Sequence, residues 1–143
     1  MSTTYSRPVG GLVFLLAAVL VMAITAYAQA RVRVGGWSLR ANGQIAKDFQ
    51  HTGPCPVNLK FGWSVLSTEP TTVTYTYERN DGAHQSSSHT LNLPAAGRSG
   101  FIYYDWRLGA HTPEFANYSG WVQLNVESPN HVSQKIPFTL HCR

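Results

Sequence analysis

Beyond residue 43, apolar and polar side chains alternate with a period of two through most of the chain. From Cys55 to Val65 the odd positions read Cys55, Val57, Leu59, Phe61, Trp63 and Val65, with Asn58, Lys60, Gly62 and Ser64 between them. Val73, Tyr75 and Tyr77 then alternate with Thr72, Thr74 and Thr76, a β-branched and aromatic mixture that favours extended chain. Leu91 and Leu93 mark a weaker run before Pro94, and residues 101–108 are apolar or aromatic on both phases. Val122, Leu124 and Val126 alternate with Gln123 and Asn125, and Ile136, Phe138, Leu140 and Cys142 alternate with Pro137, Thr139 and His141. Successive side chains of a strand point to opposite faces, so these runs predict strands with one face buried. Past the leading apolar segment, no stretch of useful length repeats at the helical period.

Turn residues separate the runs: Thr52-Gly53-Pro54, Thr68-Glu69-Pro70, Asn80-Asp81-Gly82, Ala96-Gly97, Leu108-Gly109 and Ser128-Pro129-Asn130. Asp81-Gly82 reads as a hairpin turn. With a further strand expected over residues 44–51, the spacing gives about seven short antiparallel strands, the signature of an all-β sandwich. That domain is expected to occupy residues 44–143. A closed barrel is the competing architecture, since alternation alone does not separate two packed sheets from one closed sheet.

The start of the chain follows a different pattern. One basic residue, Arg7, precedes an unbroken apolar run from Leu12 to Ile24, and then come Ala26-Tyr27-Ala28 and Ala28-Gln29-Ala30. A basic start, a short apolar core and small residues at a cleavage position form the pattern of a secretory signal peptide. The apolar core is shorter than the ~20 residues that span a bilayer. The expectation is a signal helix over residues 1–28, cut after Ala28 or Ala30, with retention as an anchor the alternative. Once cut, the chain would leave the membrane for the periplasm, the cell surface or the exterior. Residues 29–43, where Arg31-Val32-Arg33-Val34 alternates briefly before Gly35-Gly36, read as a flexible N-terminal arm. The sharper alternative is a strand added to a neighbouring copy's sheet.

Export bears on the two cysteines. Counting antiparallel strands from residue 44, Cys55 opens the second and Cys142 closes the seventh, which brings both to one end of the sandwich. Each shares its phase with inward residues, Cys55 with Val57 and Phe61, and Cys142 with Leu140 and Phe138. In an oxidising compartment this predicts a disulfide between Cys55 and Cys142.

Charge narrows the chemistry. The chain carries 11 Lys and Arg against 7 Asp and Glu, and removal of the leader with Arg7 leaves 10 against 7. Those charges are scattered, with no run that would track a phosphate backbone, so nucleic acid is not an expected partner. His51, His84, His89, His111, His131 and His141 show none of the usual metal-ligand spacings. Both methionines, Met1 and Met22, lie in the leader, which leaves a blue-copper arrangement without its axial ligand. No nucleophile elbow is present. No catalytic residue, metal site or cofactor is therefore expected. Asp105, between Tyr104 and Trp106, is expected to be partly buried and paired with Arg79 or Arg107. Trp63 belongs to the core by phase, whereas one of Trp106 and Trp121 is expected to face outward. Trp37, Tyr103, Tyr104, Tyr118 and Trp121 form the candidate exposed aromatic surface for a sugar or protein partner.

Several of these segments taken together carry a resemblance. They are Thr52-Gly53-Pro54-Cys55-Pro56, Val73-Thr74-Tyr75 with Arg79-x-Asp81-Gly82-Ala83, and Trp106-x-Leu108-Gly109. Ser119-Gly120-Trp121-Val122-x-Leu124-x-Val126-x-Ser128-Pro129-Asn130 and Phe138-x-Leu140-x-Cys142 complete the set. The combination resembles a family of small secreted bacterial proteins that share an immunoglobulin-like or fibronectin-III-like sandwich. The resemblance implies a bacterial source and that fold, and it carries no enzymatic activity. The expected function is a secreted or periplasmic binding or structural module, its partner a protein or glycan of the cell envelope. A self-assembling surface or filament subunit using the N-terminal arm is the alternative, ahead of a small secreted enzyme or metalloprotein.

Overall fold

The alternating runs fold into strands that bury their apolar phase between two sheets. The computed structural model describes residues 29–83, 87–110 and 116–143, with the backbone alone at residues 99 and 100. Nine strands lie among them: β1 (Val32–Ala41), β2 (Gln44–Ile45), β3 (Gln50–Gly53), β4 (Val57–Ser67), β5 (Thr71–Arg79), β6 (His89–Leu93), β7 (Gly97–Leu108), β8 (Asn117–Ser128) and β9 (Val132–Cys142). One sheet runs β2-β1-β4-β7 and the other β3-β9-β8-β5-β6. Two open sheets, not a closed barrel, answer the question that alternation left open. Every pairing is antiparallel except that of β3 with β9, which is parallel.

The core lies where the two inner faces meet. Val57, Leu59, Phe61, Trp63 and Val65 of β4 are all buried, and across the layer they face Val73, Val122, Leu124, Val126, Ile136 and Leu140. Phe61 meets Phe138 edge-on, with ring centroids 5.3 Å apart. The one polar atom of the Trp63 side chain is satisfied across the layer, its indole Nε1 donating to the Gln134 carbonyl at 3.2 Å. That bond makes it possible to bury the largest side chain of the core at low cost.

Two expectations about the N-terminal third need correction. Most of the segment expected to be a flexible arm, residues 29–43, is β1, paired with β4 at nine positions from Val32 to Ala41. The sandwich therefore begins before residue 44. Val32, Leu39 and Ala41 join the core, and Asn130 holds the strand's start: its side chain accepts from the Val32 amide at 2.7 Å and donates to the Val32 carbonyl at 3.0 Å. One edge of the strand is therefore taken up by β4 within its own sheet, while β2 pairs with the other edge only at Arg40 and Ala41. The alternation was masked by a bulge between Val34 and Gly36, where the Leu66 side chain occupies the space a Cβ on Gly35 would need. Asn42 and Gly43 then turn the chain into β2 with φ of 47° and 87°, the two positive values a tight hairpin turn requires.

Residues 44–51, expected as one strand, are divided. After β2 the chain passes through a short 3-10 turn at Lys47–Phe49, where Asp48 and Phe49 take φ of 51° and 57°. These left-handed residues swing the backbone from the first sheet to the second, where β3 joins β9. The Asp81-Gly82 turn is also looser than a two-residue hairpin, because β5 ends at Arg79 and β6 starts only at His89. The expected signal helix over residues 1–28 lies outside the described residues. Among the described residues, no helix is long and apolar enough to cross a membrane.

Cys55 and Cys142 form a disulfide at one end of the sandwich, with their Cα atoms 5.4 Å apart. Gly109 covers the bridge at φ 90°, and a Cβ there would fall 2.8 Å from the Cys55 sulfur and 2.9 Å from that of Cys142. The bridge spans a sequence separation of 87, and the chain-entropy relation assigns a loop of that size up to about 4–5 kcal/mol. Reduction is expected to lower the denaturant midpoint accordingly, while Gly109→Ala should cost about 1–3 kcal/mol through overpacking against the sulfurs. An unchanged midpoint after verified reduction would contradict this role.

Candidate binding surface

Residues directly opposed in an antiparallel pair share a face, so the register sorts the first sheet into an inner and an outer side. The outer side carries Arg33, Ser38 and Arg40 from β1, Asn58, Lys60, Gly62, Ser64 and Leu66 from β4, and Arg98, Phe101, Tyr103, Asp105 and Arg107 from β7. At its centre β4 offers only Gly62 and Ser64, which leaves a low floor between the flanking strands.

Two rings of β7 lie over that floor. A Cβ on Gly62 would sit 2.9 Å from Tyr103 Cε1, 3.2 Å from Phe101 Cδ1 and 3.1 Å from Ser38 Oγ, so glycine leaves the room these rings occupy. Phe101 and Tyr103 stack with centroids 6.0 Å apart and planes 20° from parallel. They remain 40% and 47% exposed. A cation stands over each ring. Lys60 Nζ is 5.2 Å from the Tyr103 centroid, and the Arg98 guanidinium carbon is 5.9 Å from that of Phe101. Arg98 is tied down as well, its Nε and Nη2 each donating to the buried Ser64 hydroxyl at 3.3 Å.

The surface is braced from beneath. The Tyr77 hydroxyl donates to the Tyr103 carbonyl at 3.0 Å, and its ring lies 4.9 Å from that of Tyr104. Burial, reinforced by the neighbouring Tyr75, holds the Tyr77 hydroxyl well above the usual tyrosine range.

Of the five aromatic residues named from sequence, only Tyr103 belongs to this platform. Trp37 is 45% exposed but pairs with Trp63, on the inner phase, and is open because β2 pairs with β1 only at Arg40 and Ala41. Tyr104 faces inward and its hydroxyl accepts from Arg79 Nη1 at 3.3 Å. Tyr118 packs within the layer against Trp106 and Phe138, its hydroxyl accepting from Asn80 Nδ2 at 2.9 Å. Trp121 does face outward, but on the opposite sheet, with Lys135 Nζ 3.8 Å above its ring. The five therefore do not form one surface.

Asp105 also needs correcting: it is exposed, not buried. It shares the outer phase with Tyr103, and its partner is Lys60 at 3.6 Å rather than an arginine. Arg79 instead binds Asp81 at 2.7 Å and lies 4.3 Å from the Trp106 ring centroid, covering its face. Phe101, Lys60 and Arg98 belong to this surface without being among the residues expected from sequence. The signal was there, because Phe101 and Tyr103 share one phase opposite a strand whose outward residues shrink to Gly62 and Ser64.

Among the histidines, His131 lies 3.4 Å from Glu127, His141 Nδ1 lies 2.8 Å from Asn117 Oδ1, and His89 packs on Tyr75 with ring centroids 5.4 Å apart. His84 and His111 fall outside the described residues. Among the described residues, no three His, Cys, Asp or Glu side chains gather as a metal site would need.

No family model matches the chain, and no curated protein matches it.

The brace under Tyr103 has a pH signature. A tyrosine that ionises near pH ~10 when unfolded but higher when folded stabilises the fold fully below that pH and loses its contribution as pH rises above it. Stability is therefore expected to fall above about pH 10, and to fall less steeply in Tyr77→Phe. Equal slopes in alkaline denaturation of the two proteins would contradict the assignment.

Proposed function

We propose that the protein is an exported binding module, an immunoglobulin-like or fibronectin-III-like sandwich that holds a glycan of the cell envelope on the outer face of its four-stranded sheet. Strand order supports the fold type. β1, β4 and β7 stand where the first, second and fifth strands of such a sandwich belong, opposite β9, β8 and β5 with β6 at the edge. Export is supported by the disulfide, a bond that persists in oxidising compartments, and by the leader pattern of residues 1–28.

One observation carries the binding role: the half-exposed Phe101–Tyr103 stack, held over Gly62 and braced by Tyr77. Contiguous exposed aromatic surface marks interaction sites in folded proteins. Rings already held in place lose little freedom when a ligand arrives, so more of the contact energy survives as affinity. Half-exposed rings bordered by hydrogen-bonding side chains suit the apolar face of a sugar, whose hydroxyls project at its rim. The module works by contact, not by turnover.

The test is an array of cell-envelope polysaccharides probed with the protein, with Phe101→Ala/Tyr103→Ala and with Trp121→Ala. The double substitution should weaken glycan binding at least about tenfold, the loss of one well-placed anchor, while Trp121→Ala binds as the parent does. Full binding by the double variant, loss in Trp121→Ala alone, or no glycan bound at all would each reject the reading.

A further inference from the structure

The charges around the stack, taken with the glycan reading on which this step rests, specify the ligand further. Arg33, Arg40, Lys60, Arg98 and Arg107 share the outer face of the four-stranded sheet, and Asp105 is the sole carboxylate there among the described residues. The outer face of the other sheet is balanced instead, Lys135 against Glu78. The chain's modest net charge of +4 thus conceals one strongly cationic face, and it is the face that carries the exposed rings.

We infer that this face selects acidic polysaccharide, a sugar chain bearing carboxylate, sulfate or phosphate groups. The layout favours a polymer. Along β7 the run from Arg98 to Arg107 covers on the order of 30 Å at ~3.3 Å per residue, far more than a single sugar. At the far end of that run an open hollow of about 570 Å³ is bordered by Asn42, Gly43, Asn58, Lys60, Asp105 and Arg107, so amides for hydroxyls lie beside cations for an acid group. Phe101 and Tyr103 provide the stacking faces between Arg98 and this hollow. Guanidinium groups suit the purpose, since their fork of donors matches the oxygens of a planar or tetrahedral anion.

Stacked rings and cations also suit single-stranded nucleic acid. The disulfide weighs against that ligand, because such bonds are rare in the cytosolic and nuclear proteins that handle nucleic acid.

Calorimetric titration separates the outcomes. The probes are polygalacturonate, the same polymer with its carboxyl groups reduced, dextran sulfate, dextran and single-stranded oligothymidylate. Polygalacturonate or dextran sulfate is expected to bind at least tenfold tighter than its neutral counterpart, and whichever binds better assigns the acid group. The preference should weaken between about 0.05 M and about 0.5 M salt as screening shortens the reach of the cations. Lys60→Gln/Arg98→Gln should remove most of the preference and keep residual neutral-chain binding. Arg33→Gln/Arg107→Gln, at exposed positions, should do so in part with an unchanged melting temperature. Equal affinity for acidic and neutral chains would overturn this inference and leave the glycan reading standing. Oligothymidylate bound as tightly as any polysaccharide would overturn it in favour of nucleic acid. No binding of any sugar chain would overturn both readings.

Discussion

The structure depends on the two-sidedness of β4. It is the one strand of its sheet with long partners on both edges, β1 and β7. Its inward residues, Val57, Leu59, Phe61, Trp63 and Val65, are all shielded from water, and large apolar side chains stabilise by about 1.5–3 kcal/mol each when fully buried. That burial fixes which phase looks inward, since a slip of one residue would carry the whole set to solvent. The outward phase is fixed by the same stroke. Lys60, Gly62 and Ser64 thus come to lie beneath and beside the rings of β7, so the platform is the reverse side of the core.

The two ends of the molecule are secured differently. At one, the Cys55–Cys142 bridge ties the start of β4 to the end of β9, with Gly109 covering the sulfurs. At the other, the side chain of Asn130, from the turn between β8 and β9, clasps the backbone of β1 at Val32. Both links join one sheet to the other, while Trp63 and Gln134 join the layers midway. Phe101 and Tyr103 stand half exposed on the outer side of the sheet so joined.

Much of this was legible in the sequence where period two ran unbroken. The alternation from Cys55 to Val65, from Val73 to Tyr77 and from Ile136 to Cys142 located strands, their inner faces and the disulfide, because burial on one side leaves that imprint. The N-terminal strand is hidden because a glycine bulge resets its phase after four alternating residues, ahead of the Asn42-Gly43 turn. The crossing at Asp48 and Phe49 depends on left-handed backbone angles that side-chain pattern does not encode. In residues 101–108 both phases are apolar or aromatic, so alternation could not tell Tyr103 from Tyr104, and Asp105 was drawn inward with its neighbours. The cationic face was invisible for a different reason. Its charges come from three strands far apart in sequence, and only the register brings them together.

The fold and the proposed ligand make one claim: contact occurs on the outer face of the sheet containing β4 and β7. Nuclear magnetic resonance of the isotopically labelled protein during titration with an oligogalacturonate tests it most directly. The account predicts shifts concentrated at Gly62, Phe101, Tyr103 and the Arg98 side chain, with Trp121 and its neighbours on β8 and β9 unmoved. Shifts centred on Trp121 and Lys135, or spread evenly over both sheets, would contradict it.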